Sequence, residues 1–480
     1  LKKILLTGAT GYVGGRLLPI LEEKGHIIRC LSKHPENLSH IESERVSTIK
    51  ADLLDYESTI KAMKGIETAI YLVHALGSKK NFEKLEKEYA NNFALAAKHN
   101  NVKRIIYLGG LGRGKKLSKH LQSRQETGEI LRSSGINTIE FRASIIIGSG
   151  SISFELARSL VERLPIVITP KWVHNKAQPI FIEDVLSYLI EAIELATDQN
   201  EIFEIGGADQ VSYADIMKEY SNQQKLNRIM IPVPLLTPYL SSLWLGLITP
   251  VYADIGMKLI EGVKNPTIVE DHRAREVFNI DPRGLQESIK LALEEEKNEF
   301  RQTYWASAFS TRDCTGNDCL NLSHKNYKYD VRTIKVMAEP ARTFACIQKI
   351  GGKNGWYYAD YLWRLRGFID LMLGGVGLRR GRRDPVDLKQ GDIVDWWRVE
   401  LFEQDKLLRL RTEMILPGAG WLEFSVKPLD RGCELTQTVI FYPRGFQGIL
   451  YWYALKVPHN MIFSNMLKNI KKEIEKGSCS

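Results

Sequence analysis

The chain has 480 residues, 44% apolar and 26% charged, with a net charge of +9. This is an ordinary globular make-up, long enough for two or three domains with sizeable cores. The modest basic excess is mixed with acidic residues along stretches such as 82–98, so composition gives no ground for a nucleic-acid partner and none is expected.

Cys30, Cys314, Cys319, Cys346, Cys433 and Cys479 lack the repeated spacing of a disulfide framework or a zinc ribbon. A reduced, cytoplasmic protein is expected, with Cys314 and Cys319 as free thiols and no bound metal. No signal peptide is expected ahead of the opening strand. The most apolar run, 231–252, is interrupted by Pro232, Pro234, Pro238 and Pro250, which argues for a buried or interface segment and against stable membrane insertion.

The first element is an apolar strand running into Thr7-Gly8-Ala9-Thr10-Gly11-Tyr12-Val13-Gly14, with an amphipathic helix starting inside the turn. Glycines at positions 8, 11 and 14 suit a tight turn, a close backbone approach and close helix packing. The helix N-terminus then faces a pyrophosphate. Thr7, Gly8, Thr10, Gly11, Tyr12, Val13 and Gly14 are therefore expected to hold a dinucleotide.

Residues 25–31 read as a second strand, and Lys33 with Arg29 nearby favours NADP(H) over NAD(H), because a ribose 2′-phosphate needs a cation where a 2′-hydroxyl needs a carboxylate. The third strand, 46–53, ends at Asp52 and Leu53, placed to contact adenine. The fourth, 67–74, ends at His74 on the nicotinamide side. A long helix at 81–100 leads to the fifth strand, 103–108, and the alternation specifies an α/β doubly wound parallel sheet of the Rossmann type.

The opening TGATGYVGG, the ADLLD at 51–55 and the strand layout resemble the short-chain dehydrogenase/reductase superfamily, in its extended or atypical branch near the NmrA-like NAD(P)-binding proteins. The resemblance covers roughly the first 300 residues. It implies a Ser or Thr after the fifth strand and a Tyr-x-x-x-Lys on the next helix, where the cation tunes the phenol. Here Gly109-Gly110-Leu111-Gly112 follows the strand, and His120 and Arg124 take the spacing of the Tyr and Lys. Two readings follow. In one, His120 is a substitute general acid and Arg124 orients cofactor or substrate; in the other, the site binds dinucleotide without turnover. The stretches at 108–112 and 120–124 also resemble a narrower bacterial group loosely called nucleoside-diphosphate-sugar epimerases.

Further on, residues 137–142 form the sixth strand. Ser151, Trp172 and Gln178 are candidates to meet an unidentified small substrate, and Asp184 is expected to cap the helix that follows. Residues 201–207 form a late strand, and helices are expected at 237–262 and 284–300.

Seven of the nine tryptophans lie beyond position 304, marking a second domain. The expected organisation is 1–303, a linker at 304–328, and 329–480. Strands at 329–338, 391–403, 406–416, 421–427 and 433–442, a helix after Pro340 and a closing helix at about 448–476 resemble the helix-grip fold of the START and polyketide-cyclase superfamily, which implies an apolar cavity. Arg379, Arg380, Arg382 and Arg383 sit among glycines, suited to an anionic ligand or to salt bridges between domains. An oxidoreductase or isomerase leads; a redox sensor and a metabolite carrier are the rivals.

Overall fold

The protein is described from a computed structural model over residues 1–33, 35, 38, 41–74, 82–114, 117–233, 261–263, 265–297, 328–378, 380–443 and 445–477. It divides into two compact units, Leu1–Ala308 and Phe309–Ser480.

In the first unit the main sheet comprises β1 (Lys3–Thr7), β2 (Ile27–Ser32), β3 (Val46–Lys50), β4 (Thr68–Tyr71), β5 (Arg104–Gly110), β6 (Asn137–Ala143) and β7 (Glu201–Ile205). The spatial order is β7-β6-β5-β4-β1-β2-β3, with every pairing parallel. Parallel neighbours require crossovers, and helices supply them: α1 (Tyr12–Glu23), α2 (Tyr56–Met63), α3 (Phe82–His99), α4 (Lys119–Arg132), α5 (Ile152–Arg163) and α6 (Ile182–Glu194).

Side chains alternate along each strand, so the apolar runs feed both faces. Ile4, Leu6, Ile70, Ile106 and Phe141 pack with Leu17 and Leu21 of α1 and Val185 and Leu189 of α6. Leu5, Ala69, Tyr71, Ile105 and Tyr107 pack on the other face with Met63, Phe93, Ala97 and Leu131 of α2, α3 and α4. The strand order reverses between β1 and β4. In such a sheet the crevice beyond the carboxyl ends of the strands at that reversal is where ligands bind.

The second unit has a six-stranded antiparallel sheet, in spatial order Lys328–Val336, Cys433–Pro443, Gly418–Pro428, Leu407–Thr412, Trp397–Glu403 and Ile393–Val394. A helix at Pro340–Gln348 starts at the proline, whose missing N–H costs nothing in a first turn. The expected closing helix is two, Gly445–Ala454 and Lys456–Lys476, and the second buries Phe463, Met466, Leu467 and Ile470. Helix Asp360–Met372, absent from the sequence reading, packs Trp363 and Gly367 inward, with Trp363 ring to ring against Trp356, Trp396 and Phe463.

The described arginines of the cluster find partners within their own unit. Arg380 is fully buried and pairs with buried Glu413, which also takes Arg398 Nε at 2.7 Å. Arg382 donates to the carbonyls of Gln348 (2.8 Å) and Ile350 (2.7 Å), and Arg383 binds Asp392 and Asp387. These three guanidiniums therefore hold parts of their own unit together. Arg379, Cys314, Cys319, most of the linker and most of the 231–252 run lie outside the described residues.

Candidate functional site

The glycine turn lies at the β1 end of the reversal. Gly8 has φ +72°, and a Cβ there would meet the Leu72 carbonyl oxygen at 2.9 Å. A Cβ on Gly14 would come within 2.3 Å of the Gly8 oxygen, so only glycine lets α1 start this close to β1. Gly11 N–H donates to Gly8 O at 2.8 Å. Gly11 caps α1 with no side-chain hydrogen bond, and no acidic residue occupies the first turn. The amides at this helix end are thus not claimed by a side-chain cap, which is the cradle a pyrophosphate fits.

The flanking residues divide by what they touch. Thr7 is fully buried and clasps β1 to β4, donating to Ile70 O (3.1 Å) and accepting from Leu72 N–H (3.0 Å). Thr10 lies in the turn itself, while Tyr12 and Val13 pack on the α1 side of the core. The Tyr12 phenol reaches Gly148, whose Cβ would come within 2.3 Å of it.

At the ends of β2 and β3, Lys33 Nζ lies 3.1 Å from Asp52 Oδ2 and 3.2 Å from the Tyr89 hydroxyl. Asp52 also accepts from Leu54 N–H at 3.0 Å, shaping the turn into α2, and Asp55 caps that helix. Leu53 is buried in the core, with its carbonyl held by Asn92 at 2.8 Å. Arg29 departs from its expected role: it donates to the carbonyls of Ala62 (2.9 Å) and Lys64 (2.8 Å) at the end of α2, so its charge serves a helix C-terminus.

The loop after β4 carries His74 to α4. His74 Nε2 is 3.0 Å from His120 Nε2, with the rings stacked at 4.7 Å, and His74 Nδ1 bonds the carboxylate of Glu86 on α3. Ser123 donates to the other oxygen of Glu86. Burial alone would raise the Glu86 carboxyl, but His74, Arg124 and the Ser123 hydroxyl hold it far below the usual carboxylate range.

Arg124 is buried and differs from the ribose clamp that its spacing suggests. Its guanidinium donates to Val73 O (3.3 Å) and to Leu108 O and lies 4.9 Å over the Tyr107 ring, tying the ends of β4 and β5 to α4. Tyr107 donates its hydroxyl to Arg124 O (2.8 Å), and burial pushes that phenol up to about 12. The glycines after β5 have a steric use: Cβ atoms at Gly110 and Gly112 would meet the Leu121 side chain at 3.0 and 2.9 Å, so their absence seats α4 against the strand.

Glu86 escaped the sequence reading, although it stands with Ala90, Phe93 and Ala97 on the inward stripe of α3. A carboxylate at such a position calls for a partner.

Of the substrate-side candidates, Ser151 and Gln178 have partners within the fold. Ser151 caps α5 and donates to Ile146 O at 2.9 Å. Gln178 is buried, donating to Gly207 O (2.7 Å) and accepting from Val269 N–H (3.0 Å). Asp184 forgoes capping and pairs with Arg283. Trp172, in a short 3₁₀ turn, buries an indole N–H without a partner among the described residues.

Residues 8–142, which span both the glycine turn and the His74–Glu86–His120 cluster, match the family described as NAD(P)H-binding. They form an NAD(P)-binding domain. Residues 323–466 match a family of unknown function, DUF2867. Among curated proteins, the auxiliary protein GraX of Staphylococcus aureus is 32% identical over 116 residues, 22% of this chain and 36% of GraX. Cinnamoyl-CoA reductase 1 of Petunia hybrida is 29% identical over 118 residues, 23% of this chain and 35% of the reductase. The chain thus matches about a third of the length of each. Among solved structures, the NADPH complex of the Escherichia coli quinone oxidoreductase QOR2 superposes with a TM-score of 0.50 at 18% identity, over 60% of this chain and 98% of that one. The likeness is one of fold.

Proposed function

We propose that the first unit is an atypical NADP(H)-dependent oxidoreductase or isomerase acting on a small carbonyl substrate, with His120 as proton donor. The observation that carries this is the contiguous chain His120–His74–Glu86, reached from the loop whose Leu72 packs against the glycine turn. The ionised Glu86 accepts from His74 Nδ1–H, which fixes that ring's tautomer and orientation. At the Nε2–Nε2 contact one ring must donate and the other accept, so the two imidazoles share one proton. When the shared proton sits on His74, it passes to His120 Nε2 as His120 Nδ1–H goes to the substrate oxygen, leaving His74 neutral and still bonded to Glu86. Bound NADPH would supply the hydride. Arg124 and Tyr107 act as positioning residues, holding the ends of β4 and β5 around this chain.

The test is a screen of NADPH consumption against quinones and acyl-CoA thioesters, classes suggested by the names of similar proteins, and against aldehydes as simple carbonyls. Consumption with one class supports the oxidoreductase and none with any class sinks it; an isomerase, which returns the hydride, is read instead by conversion of substrate without net NADPH consumption. The lack of a Tyr-x-x-x-Lys and of a hydroxyl at the end of β5 favours one second reading, a dinucleotide-sensing protein without turnover. Such a protein would separate NADPH from NADP+ by affinity and would consume neither.

The preference for NADP(H) rests on Lys33, which would exchange Asp52 for the 2′-phosphate. Lys33→Ala is expected to weaken NADPH binding by about tenfold, the low end for a hydrogen bond to a charged group at a half-exposed site. NADH binding is expected to stay unchanged. Calorimetric titration of both dinucleotides decides it: equal losses for the two would remove the preference.

A further inference from the structure

Helix Asp360–Met372 turns a second apolar stripe outward. Tyr361, Leu365, Phe368 and Met372 recur at helical spacing and stand exposed, Phe368 by 53% and Met372 by 68%, while Trp363, Gly367 and Asp370 face the interior. Trp363 packs on Phe463 of the last helix. The C-terminal helices add their own outward row, Leu450, Tyr453, Val457 and Met461, with Val457 79% exposed. Isolated exposed apolar side chains are ordinary, but two helical rows in one unit are not.

The charge along the C-terminal row is predominantly basic, while the helix of the first row carries one exposed acid, Asp360, at its start. From 445 to 472 there is no acidic residue, whereas Lys456, Lys468, Lys471 and Lys472 are basic, Lys471 pairing with Glu475 one turn on. Arg364 stands exposed within the first row, and Asp370 is turned inward to the amides of Gly377 and Ile415. Residues 328–476 hold 25 Lys and Arg against 17 Asp and Glu, which is nearly all of the chain's net positive charge. No described helix is long and apolar enough to cross a membrane.

We propose that this face docks shallowly on an anionic lipid surface, its aromatic and aliphatic side chains entering the headgroup boundary and its basic residues meeting the lipid charge. A second copy of the chain is disfavoured as occupant, because two such basic faces would repel. Integral insertion is not involved.

The test is co-sedimentation of the full chain with vesicles of phosphatidylcholine alone and of phosphatidylcholine mixed with phosphatidylglycerol. Binding to the mixed vesicles is expected to exceed binding to the neutral ones by at least about tenfold and to weaken with salt. Leu365→Glu/Phe368→Glu, at exposed positions, is expected to lose at least about tenfold of that binding while keeping the wild-type melting temperature and NADPH affinity. Should that pair fail to fold, Tyr453→Glu/Val457→Glu tests the other row by the same reading. The proposal is overturned if the wild type stays in the supernatant with both vesicles, or if a folded double variant sediments as the wild type does. It is overturned equally by light scattering that shows a dimer dissolved by the substitutions, which would name a second copy as the occupant.

Discussion

Glu413→Ala is expected to unfold the second unit or bring it to the edge of stability. The carboxylate is fully buried, accepting from Arg398 Nε at 2.7 Å and pairing with buried Arg380, while Arg411 approaches to 3.9 Å. Removing it leaves guanidinium charge buried without its counterion, a change that costs about 3–5 kcal/mol. That is a large share of the roughly 5–15 kcal/mol that holds a typical domain together. Glu413→Gln keeps the shape but not the charge, and is expected to be destabilised less than Glu413→Ala and still measurably.

Urea unfolding followed by tryptophan fluorescence reads this out, because seven of the nine tryptophans lie beyond position 304. The same site gives the second unit an acid-labile character. Burial would raise the Glu413 carboxyl, but Arg398 and Arg380 bring it down to about 2 from 4.5. A carboxyl depressed on folding contributes stability that is complete above 4.5 and is lost as pH falls toward the folded value. His459 acts in the same direction at higher pH: burial lowers it from 6.5 to about 4, against Asp330, which favours the charged ring, and Arg332 and Arg366, which oppose it. The unfolded chain binds that proton first, so stability drops between 6.5 and 4. In melts across that window the wild type should lose melting temperature relative to His459→Phe as pH falls toward 4, the gap between the two changing little above 6.5.

Gly14→Val should be the most damaging single change for dinucleotide binding. A Cβ at this position lies 2.3 Å from the Gly8 oxygen and 2.8 Å from the Gly8 carbon, both backbone atoms that no side-chain rotation can clear. Helix α1 must move off β1, and such overpacking costs about 1–3 kcal/mol of stability. Displaced amides lose charge-assisted bonds to phosphate worth about 1.5–3 kcal/mol each, so an affinity loss of at least about tenfold is expected. Titration of NADPH into folded Gly14→Val protein checks this, and wild-type affinity would mean that the cradle lies elsewhere.

The parallel sheet was legible because its signals are local: apolar strands, a glycine turn and helices at regular intervals put β1 to β7 where periodicity places them. The glycines at 8 and 14 were legible for the same reason, since their steric need arises within one turn. The partners of charged side chains were not legible, because they are set by tertiary proximity. Arg29 faces the end of α2, Arg124 faces two strand carbonyls, and Arg380 finds a glutamate 33 residues away in sequence. Glu86 belongs to the same class: its helix reads as amphipathic, and only the packed fold brings it to His74. Helix Asp360–Met372 was hidden because its apolar residues cover two faces, so the inward stripe has no polar complement to set it off.

In the proposed reaction His120 delivers a proton at the dinucleotide site. This step is tested most directly by comparing NADPH consumption of wild type and His120→Ala on the active class from the screen, with NADPH affinity measured alongside. The expected result is an unchanged affinity and a turnover lowered by about 10²–10⁴-fold, the usual contribution of a positioned general acid. Unchanged turnover in a His120→Ala protein that binds NADPH normally would contradict it.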